Sequence, residues 1–471
     1  MPIFFLLAGR NDFLVWLTGW SYGTFHVFHK WVARVSALMG MVHSVAYAVY
    51  MYQIGDEARR WNPAYWWNGV SAMIVMGLIL VLAIFPFRKK AYEFFLITHI
   101  IGVMVFLIFL YHHLKLSATR MYNPWLWACI AMWAFDRFTR LLRILILNYG
   151  AFSRNPQNHH MARAKFVKGT DVIQLTVYPS AEDVNYFPGA HYFVFLTGTW
   201  RFWESHPFTA AAWRPSGPMM PAYNAADIHK IKRSLSGSLK NSLKEPRLPP
   251  RVRTADLKKE MGHLTTRPKL TFFIKPRKGM TATLAERIRE HERQNEIQGF
   301  ARGRELEIKC LIEGAYGVNH PLHLYETVVL IAGGVGITTI LPYLCDYMER
   351  ARGSERRTMT QRLVFLWTAK EEELVENLVA KRFPRGCLTR RDISMQLYVT
   401  KTKQGQKEFL PGVKYKRPDI GEILRAEQAR LVGKMSILSC GPSVLVDIVR
   451  TAVVDCLDKD RKHIEYFEES Y

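Results

Sequence analysis

Residues 94–114 read FFLITHIIGVMVFLIFLYHHL. The 21 residues contain no Asp, Glu, Lys or Arg. About 20 apolar residues in a helix cross the hydrocarbon core of a bilayer, so this stretch is read as a transmembrane helix. It also holds His99, His112 and His113. Ionisable groups inside a membrane are costly to bury and mark functional positions. Apolar length and intramembrane imidazole together decide how the rest of the chain is read.

Working outward, Val35–Gly55 runs uncharged for 21 residues and Trp61–Phe87 for 27. Tyr122–Phe135 begins a fourth span, which ends in Arg137, Arg140 and Arg143. Met1–Ala8 is apolar but too short to cross. Lys30 and Arg34 flank the first span, and Arg88, Lys89 and Lys90 end the second. With four alternating helices, these three basic clusters share one side with the C-terminal two thirds of the chain. The positive-inside rule makes that side cytosolic. Loops 56–65 and 117–121 then face outward.

His29 and His43 are 14 residues apart. At 3.6 residues per turn that is nearly four whole turns and a rise of roughly 21 Å, so both rings share a helix face, one near each leaflet. His99 and His113 repeat the spacing on a helix running the same way. His112 would lie about 140° around the helix from His99. His113 is therefore the chosen residue, with His112 in reserve and His26 read as structural. Two matched pairs on two helices suit two stacked haems, since neutral imidazole is a good axial ligand for haem iron. His29 pairs with His99 for the inner haem, and His43 with His113 for the outer.

A formal charge of +24 in a soluble chain would suggest nucleic acid. With these spans, an anionic inner leaflet is the better partner, and no nucleic acid is expected. Mean hydropathy is near zero because an apolar third is averaged with a charged remainder. Six cysteines without a C-x-x-C pair read as reduced thiols, neither a zinc site nor a disulfide framework. The N-terminus shows no secretory signal pattern. Beyond the spans, Ile173–Tyr178, Tyr192–Leu196 and Leu270–Lys275 have the texture of a β-barrel or sandwich. Arg214–Lys269 interrupts it with thirteen Lys/Arg against four Asp/Glu and many Pro and Ser. That segment is read as a disordered basic insertion, lying on anionic lipid or simply solvated. Thr327–Ala332, Leu363–Trp367 and Lys434–Leu438 alternate with helical stretches, the pattern of a parallel α/β sheet.

Four motifs carry the chemistry of this second part. His206-Pro207-Phe208-Thr209 follows the Pro188-Gly189 turn and the next strand. Gly279 and Thr281 open a helix, whose N-terminus suits a diphosphate. A strand then runs into Gly333-Gly334-Val335-Gly336-Ile337-Thr338, where glycines let the backbone approach a pyrophosphate before a helix begins. The spacing is not G-x-G-x-x-G, which disfavours an ordinary dehydrogenase of that fold. Finally, Cys440-Gly441-Pro442 ends a strand where an open α/β sheet binds ligands, and Lys370 follows another strand, placed to meet a 2′-phosphate.

Across its length, apart from the insertion, the chain resembles the ferric reductase and NADPH oxidase superfamily, and most of all fungal metalloreductases. Arg10-Asn11, His29-Lys30-Trp31 through His43-Ser44, and Thr98-His99 through His113 resemble its two haem helices. His206–Thr209 resembles its flavin motif. Gly333–Thr338 and Cys440–Pro442 resemble its NADPH motifs. The closing segment Glu465–Tyr471 resembles one whose aromatic, here Tyr471, covers the flavin. Lys370 stands where the family more often has Arg, and Ala315 where it has Pro. The resemblance implies a transmembrane haem bundle over residues 1–150. A ferredoxin-reductase-like unit follows, with an FAD β-barrel at 155–324 and an α/β NADPH domain at 325–471. It implies electron transfer from cytosolic NADPH through FAD and two haems b to a ferric or cupric chelate outside the plasma membrane. That activity would support metal uptake with a permease or oxidase as partner, and no catalytic residues beyond the cofactors' ligands are implied. The family has further helices before the first haem helix, so the N-terminus is expected to be truncated. An NADPH oxidase making superoxide, or an inactive remnant, are the alternatives.

Overall fold

The computed structural model describes residues 2–9, 13–18, 20, 22–55, 64–116, 120–148, 161–179, 184–199, 201, 203–214, 268–299, 305–352, 357–401, 412–431, 433–457 and 463–469. Arg10, Asn11, Tyr471 and most of the basic insertion lie outside them. The chain divides into two compact units, Met1–Arg143 and Ile144–Tyr471.

The first unit is helical: α1 (Pro2–Leu6), α2 (Phe13–Thr18), α3 (Tyr22–Gln53), α4 (Ala64–Leu82), α5 (Phe85–Lys90), α6 (Tyr92–Lys115) and α7 (Asn123–Leu147). By length and composition α3, α4 and α6 are able to cross a membrane. The fourth expected span forms the 25-residue helix α7. Asp136, Arg137, Arg140 and Arg143 dilute its apolar content, and it is not among those three. Helix α3 starts well before the uncharged run. Lys30 and Arg34 therefore lie within it, and the Arg34 guanidinium sits over the Trp31 ring at 5.0 Å. Long basic side chains reach from a helix into the headgroup layer in this way, so a charge need not end a helix. The apolar surface faces outward: Leu38, Met39, Val45, Ile74, Leu78, Ile101 and Ile108 are all exposed. A soluble protein rarely leaves so much contiguous apolar area in water. The first unit is that of an integral membrane protein.

The second unit begins with an antiparallel sheet of β1 (Met161–Phe166), β2 (Ile173–Val177), β3 (His191–Leu196), β4 (Ser205–Thr209), β5 (Ala212–Arg214), β6 (Lys269–Ile274) and β7 (Leu306–Tyr316). Its order is β4-β3-β7-β1-β2-β6-β5. The sheet bends at a register shift between His191 and Phe193, as bulged strands do. It stays open at β4 and β5, a half-barrel where a barrel is expected from sequence. Helix α8 (Met280–Ile297) lays Met280, Leu284, Ala285 and Ile288 onto its core beside Tyr192, Phe272 and Ile312, a stripe at helical spacing.

A parallel sheet follows: β8 (Thr327–Gly333), β9 (Arg362–Ala369), β10 (Ile393–Val399), β11 (Val413–Lys414), β12 (Met435–Cys440) and β13 (Ile464–Glu469), in the order β11-β10-β9-β8-β12-β13. Helices α9 (Ile337–Arg350), α10 (Glu372–Arg382), α11 (Ile420–Ala429) and α12 (Ser443–Cys456) belong to the same region. Every residue of β8 and β12 is buried, as central parallel strands require when both faces are covered. Strand order reverses between β8 and β12. In an open α/β sheet the crevice for a ligand forms at that reversal, beyond the carboxyl ends of the strands.

Candidate active site

In the membrane unit, α3 carries His29 and His43 without a break, and α6 carries His99 and His113. The His29 and His99 rings meet in a T-shaped arrangement with centroids 6.5 Å apart. Two metal–imidazole bonds of about 2 Å, plus about 1 Å from each nitrogen to its ring centre, come to about 6 Å. The pair therefore suits a metal held between two imidazoles. His29 Nδ1 lies 2.8 Å from the Phe4 carbonyl oxygen, and His113 Nδ1 lies 2.7 Å from that of Tyr65. A carbonyl only accepts, so in each ring Nδ1 carries the hydrogen and Nε2 keeps its lone pair. Ligating histidines are held in this way by their second nitrogen. His99 Nδ1 is buried without a hydrogen-bond partner. His112 is exposed, as is His43, and the His112 ring meets that of Tyr111 in a T-shaped contact at 5.4 Å between centroids. The donor set, one imidazole from each helix at two levels, fits two haems. Among the described residues, no group of three or more His, Cys, Asp or Glu is arranged to hold a bare metal ion.

In the second unit, His206–Thr209 lie in β4, the edge strand of the half-barrel. An edge tolerates Pro207, which has no N–H to give a neighbour. The start of α8 does come next to this strand, with an addition that sequence reasoning missed. Glu204, 2% exposed, accepts a hydrogen bond from Met280 N at 2.8 Å and pairs with Arg201. Its carboxylate also lies 4.0 Å from His206 Nε2. Thr281 Oγ1 accepts from Arg277 N at 2.9 Å, which pins the turn before the helix. The α8 N-terminus thus already satisfies one leading donor with an internal carboxylate. A diphosphate there would use the remaining donors and the basic groups nearby. FAD at β4 with its diphosphate at α8 would have to share that helix N-terminus with the Glu204 carboxylate.

The two glycine turns of the parallel sheet meet at the strand reversal. A Cβ on Gly336 would stand 2.4 Å from Cys440 O, and one on Gly441 would stand 3.0 Å from Gly333 Cα. Only backbone without side chains allows this approach. On the other side the turn is open: Gly334, at φ +55, has nothing within 4 Å of a Cβ position. Ile337 and Thr338 begin α9, and Thr338 Oγ1 donates to Val335 O at 2.9 Å. Pro442 caps α12. Lys370 follows β9, and Lys401 N donates to its carbonyl at 3.1 Å, placing a second lysine at the same edge.

One contact chain joins the two halves of this unit. The Cys440 thiol donates to Thr339 Oγ1 at 3.3 Å, and the Thr339 hydroxyl donates to Thr209 Oγ1 at 3.4 Å. All three side chains are buried. The last residue of the His206–Thr209 motif is thereby tied to the first residue of the Cys440–Pro442 motif. Thr339 sits one position past the glycine motif, where sequence alone gives no reason to choose it. Burial, reinforced by the charge of Glu469, pushes the Cys440 thiol up to about 11. It is a neutral thiol at physiological pH, a hydrogen-bond donor and not a thiolate nucleophile. His320 Nε2 lies 3.0 Å from Glu469 Oε1, and its ring packs on Phe467 at 4.4 Å. Glu469 is the strand partner of Cys440.

Three family models match in order along the chain. The ferric reductase like transmembrane component matches residues 1–110, an FAD-binding domain matches 157–217, and the ferric reductase NAD binding domain matches 325–410. A probable ferric reductase transmembrane component of Candida albicans is 26% identical, covering 100% of this chain and 62% of the relative. Ferric/cupric reductase transmembrane component 2 of Saccharomyces cerevisiae is 28% identical, covering 99% of this chain and 59% of the relative. Ferric reductase transmembrane component 3 of the same yeast is 26% identical, again covering 99% and 59%. The chain thus spans about three fifths of the length of these relatives. With a transmembrane, a flavin and a nicotinamide module matched in that order, and relatives aligned from end to end of it, the chain is similar along its whole length to ferric reductase transmembrane components.

Proposed function

We propose that the chain is an NADPH-dependent ferric- or cupric-chelate reductase that carries electrons across the plasma membrane from the cytosol. When bound, FAD and two haems b supply the redox chemistry, passing electrons from a two-electron donor to a one-electron acceptor outside. The observation that carries this reading is the pair of inward-facing histidines on α3 and α6, with rings 6.5 Å apart at one level and carbonyl-anchored Nδ1 atoms on His29 and His113.

The chain's own residues have separate tasks. Gly333, Gly334 and Gly336 let backbone N–H groups and the start of α9 face a pyrophosphate. The buried Thr209–Thr339–Cys440 chain holds the flavin strand against the nicotinamide turn. Lys370 meets the 2′-phosphate. A lysine is a point charge without the bidentate fork of arginine, so its preference for NADPH is modest. Lys370→Ala is expected to raise KM for NADPH about 10-fold, the worth of one charge-assisted hydrogen bond, and to leave NADH use unchanged. Steady-state rates with each nucleotide check this. Equal losses with both would remove Lys370 from the site.

Metal chelates are preferred to dioxygen as acceptor because His113, matching the 14-residue spacing of α3, is the carbonyl-anchored residue on α6. Ferrous or cuprous ions so formed would feed a permease or oxidase partner. Membranes carrying the protein would be given NADPH with a ferric chelate or with air alone. Ferrous trapping should far exceed superoxide, and superoxide dismutase should leave it intact. Loss of the ferrous signal with dismutase would replace the reductase reading with an oxidase.

A further inference from the structure

The ring of His113 lies against a position of α4 that has no side chain. The carbonyl that accepts its Nδ1 hydrogen belongs to Tyr65, and Gly69 is one helical turn further along. A Cβ built on Gly69 would stand 2.8 Å from His113 Nδ1, 2.9 Å from Cε1 and 3.6 Å from Cγ. All three of its nearest neighbours are therefore atoms of one imidazole. Glycines in membrane helices commonly serve close packing, and their neighbours are then ordinary apolar atoms. Two others in this unit are of that kind. A Cβ on Gly40 would meet Met73 Sδ at 3.0 Å, and one on Gly102 would meet Ile79 Cγ1 at 2.9 Å. Those are parts of flexible side chains that turn aside. The His113 ring has no such freedom while it keeps the Tyr65 bond, because its Cβ is fixed on α6 and its Nδ1 is fixed on α4.

We propose that Gly69 is a positioning residue for His113. Its missing side chain leaves the seat in which His113 donates from Nδ1 to Tyr65 O and presents Nε2 as the lone-pair nitrogen. The hydrogen bond fixes tautomer and ring orientation, and raises the basicity of the ligating nitrogen. The neighbouring His112, exposed on another side of α6, has no such seat. His29 obtains the same anchoring without a glycine, from the carbonyl of Phe4 on α1. This inference rests on the two-haem reading.

The test uses the full chain in detergent, with haem-to-protein ratio and low-spin electron paramagnetic resonance as readouts, neither requiring turnover. Gly69→Ala should shift the low-spin signal of the haem held by His43 and His113 and leave the other haem's signal in place. Gly69→Leu should halve the haem-to-protein ratio, as His113→Ala does, and combining the two changes should cause no further loss. Gly102→Ala should leave both signals as they are. If Gly69→Ala and Gly69→Leu keep both signals and the full ratio while His113→Ala halves it, the seat is refuted and the haem reading stands. If Gly102→Ala shifts the same signal as Gly69→Ala, general helix packing accounts for the effect and the proposal fails. If His113→Ala leaves the ratio unchanged, the haem reading itself fails and takes the proposal with it.

Discussion

Replacing His43 with Ala is expected to halve the haem content and to reduce external metal reduction to background, while NADPH still reduces the flavin. In the proposed reading His43 and His113 form the second of two ligand pairs, so loss of His43 would empty one level and leave the His29–His99 pair in place. The second unit keeps its own core and its own contact chain from Thr209 to Cys440, so flavin reduction by NADPH has no need of either haem. The two effects therefore separate: a cytosolic dye still accepts electrons, and an impermeant chelate does not. His113→Ala should behave like His43→Ala. His112→Ala should keep both haems, since the carbonyl-anchored imidazole at this end of α6 is that of His113. Pyridine haemochrome stoichiometry on purified protein decides the matter. An unchanged ratio in His43→Ala would remove that residue from the ligand set.

The histidine geometry is legible in the sequence because it depends only on helical period. Residues 14 apart on an uninterrupted helix share a face, and α3 and α6 are uninterrupted. The start of α3 is less legible, because Lys30 and Arg34 look like a border in a hydropathy reading, whereas the helix continues through both. The central strands β8, β9 and β12 are plain as apolar runs. The edge strand β13 is not, since Glu465, Glu468 and Glu469 break any apolar pattern, and its place in the sheet comes from pairing with β12. Partners distant in the chain are hidden altogether. Thr339 meets Thr209 from 130 positions away and Cys440 from 101. Glu204 finds the α8 N-terminus across 76 positions. A single sequence shows that Gly279 and Thr281 can open a helix, but not that a buried carboxylate already waits there. Gly69 is a similar case, one more glycine in an apolar run until the ring of His113 is placed beside it.

The glycines of the Gly333–Gly336 turn, proposed to meet NADPH, look alike in sequence, yet their substitution should have unequal consequences. A Cβ on Gly336 would meet Cys440 O at 2.4 Å, Cys440 C at 2.7 Å and Gly441 Cα at 3.0 Å. Every one is a backbone atom at the end of β12, whose six residues are all buried. None can rotate away, so Gly336→Ala must part the β8 and β12 turns, and Gly336→Val more so. Overpacking of this kind costs about 1–3 kcal/mol. Taken from the nucleotide site, that weakens binding about 5- to 150-fold. The same displacement pulls Cys440 away from Thr339, so hydride transfer should slow even at saturating NADPH. Gly334 is the contrasting case. At φ +55 it has the left-handed conformation that disfavours a side chain, but open space lies around its Cβ position. Gly334→Ala should therefore cost only about 1 kcal/mol of local strain, about a 5-fold effect. Flavin content should stay full in all three variants, because the half-barrel has a separate core. The measurement is NADPH-dependent flavin reduction in a stopped-flow instrument, which gives the nucleotide Kd and the limiting rate separately. If Gly336→Val binds NADPH as tightly and reduces flavin as fast as the parent chain, the meeting of these two turns is not where NADPH binds.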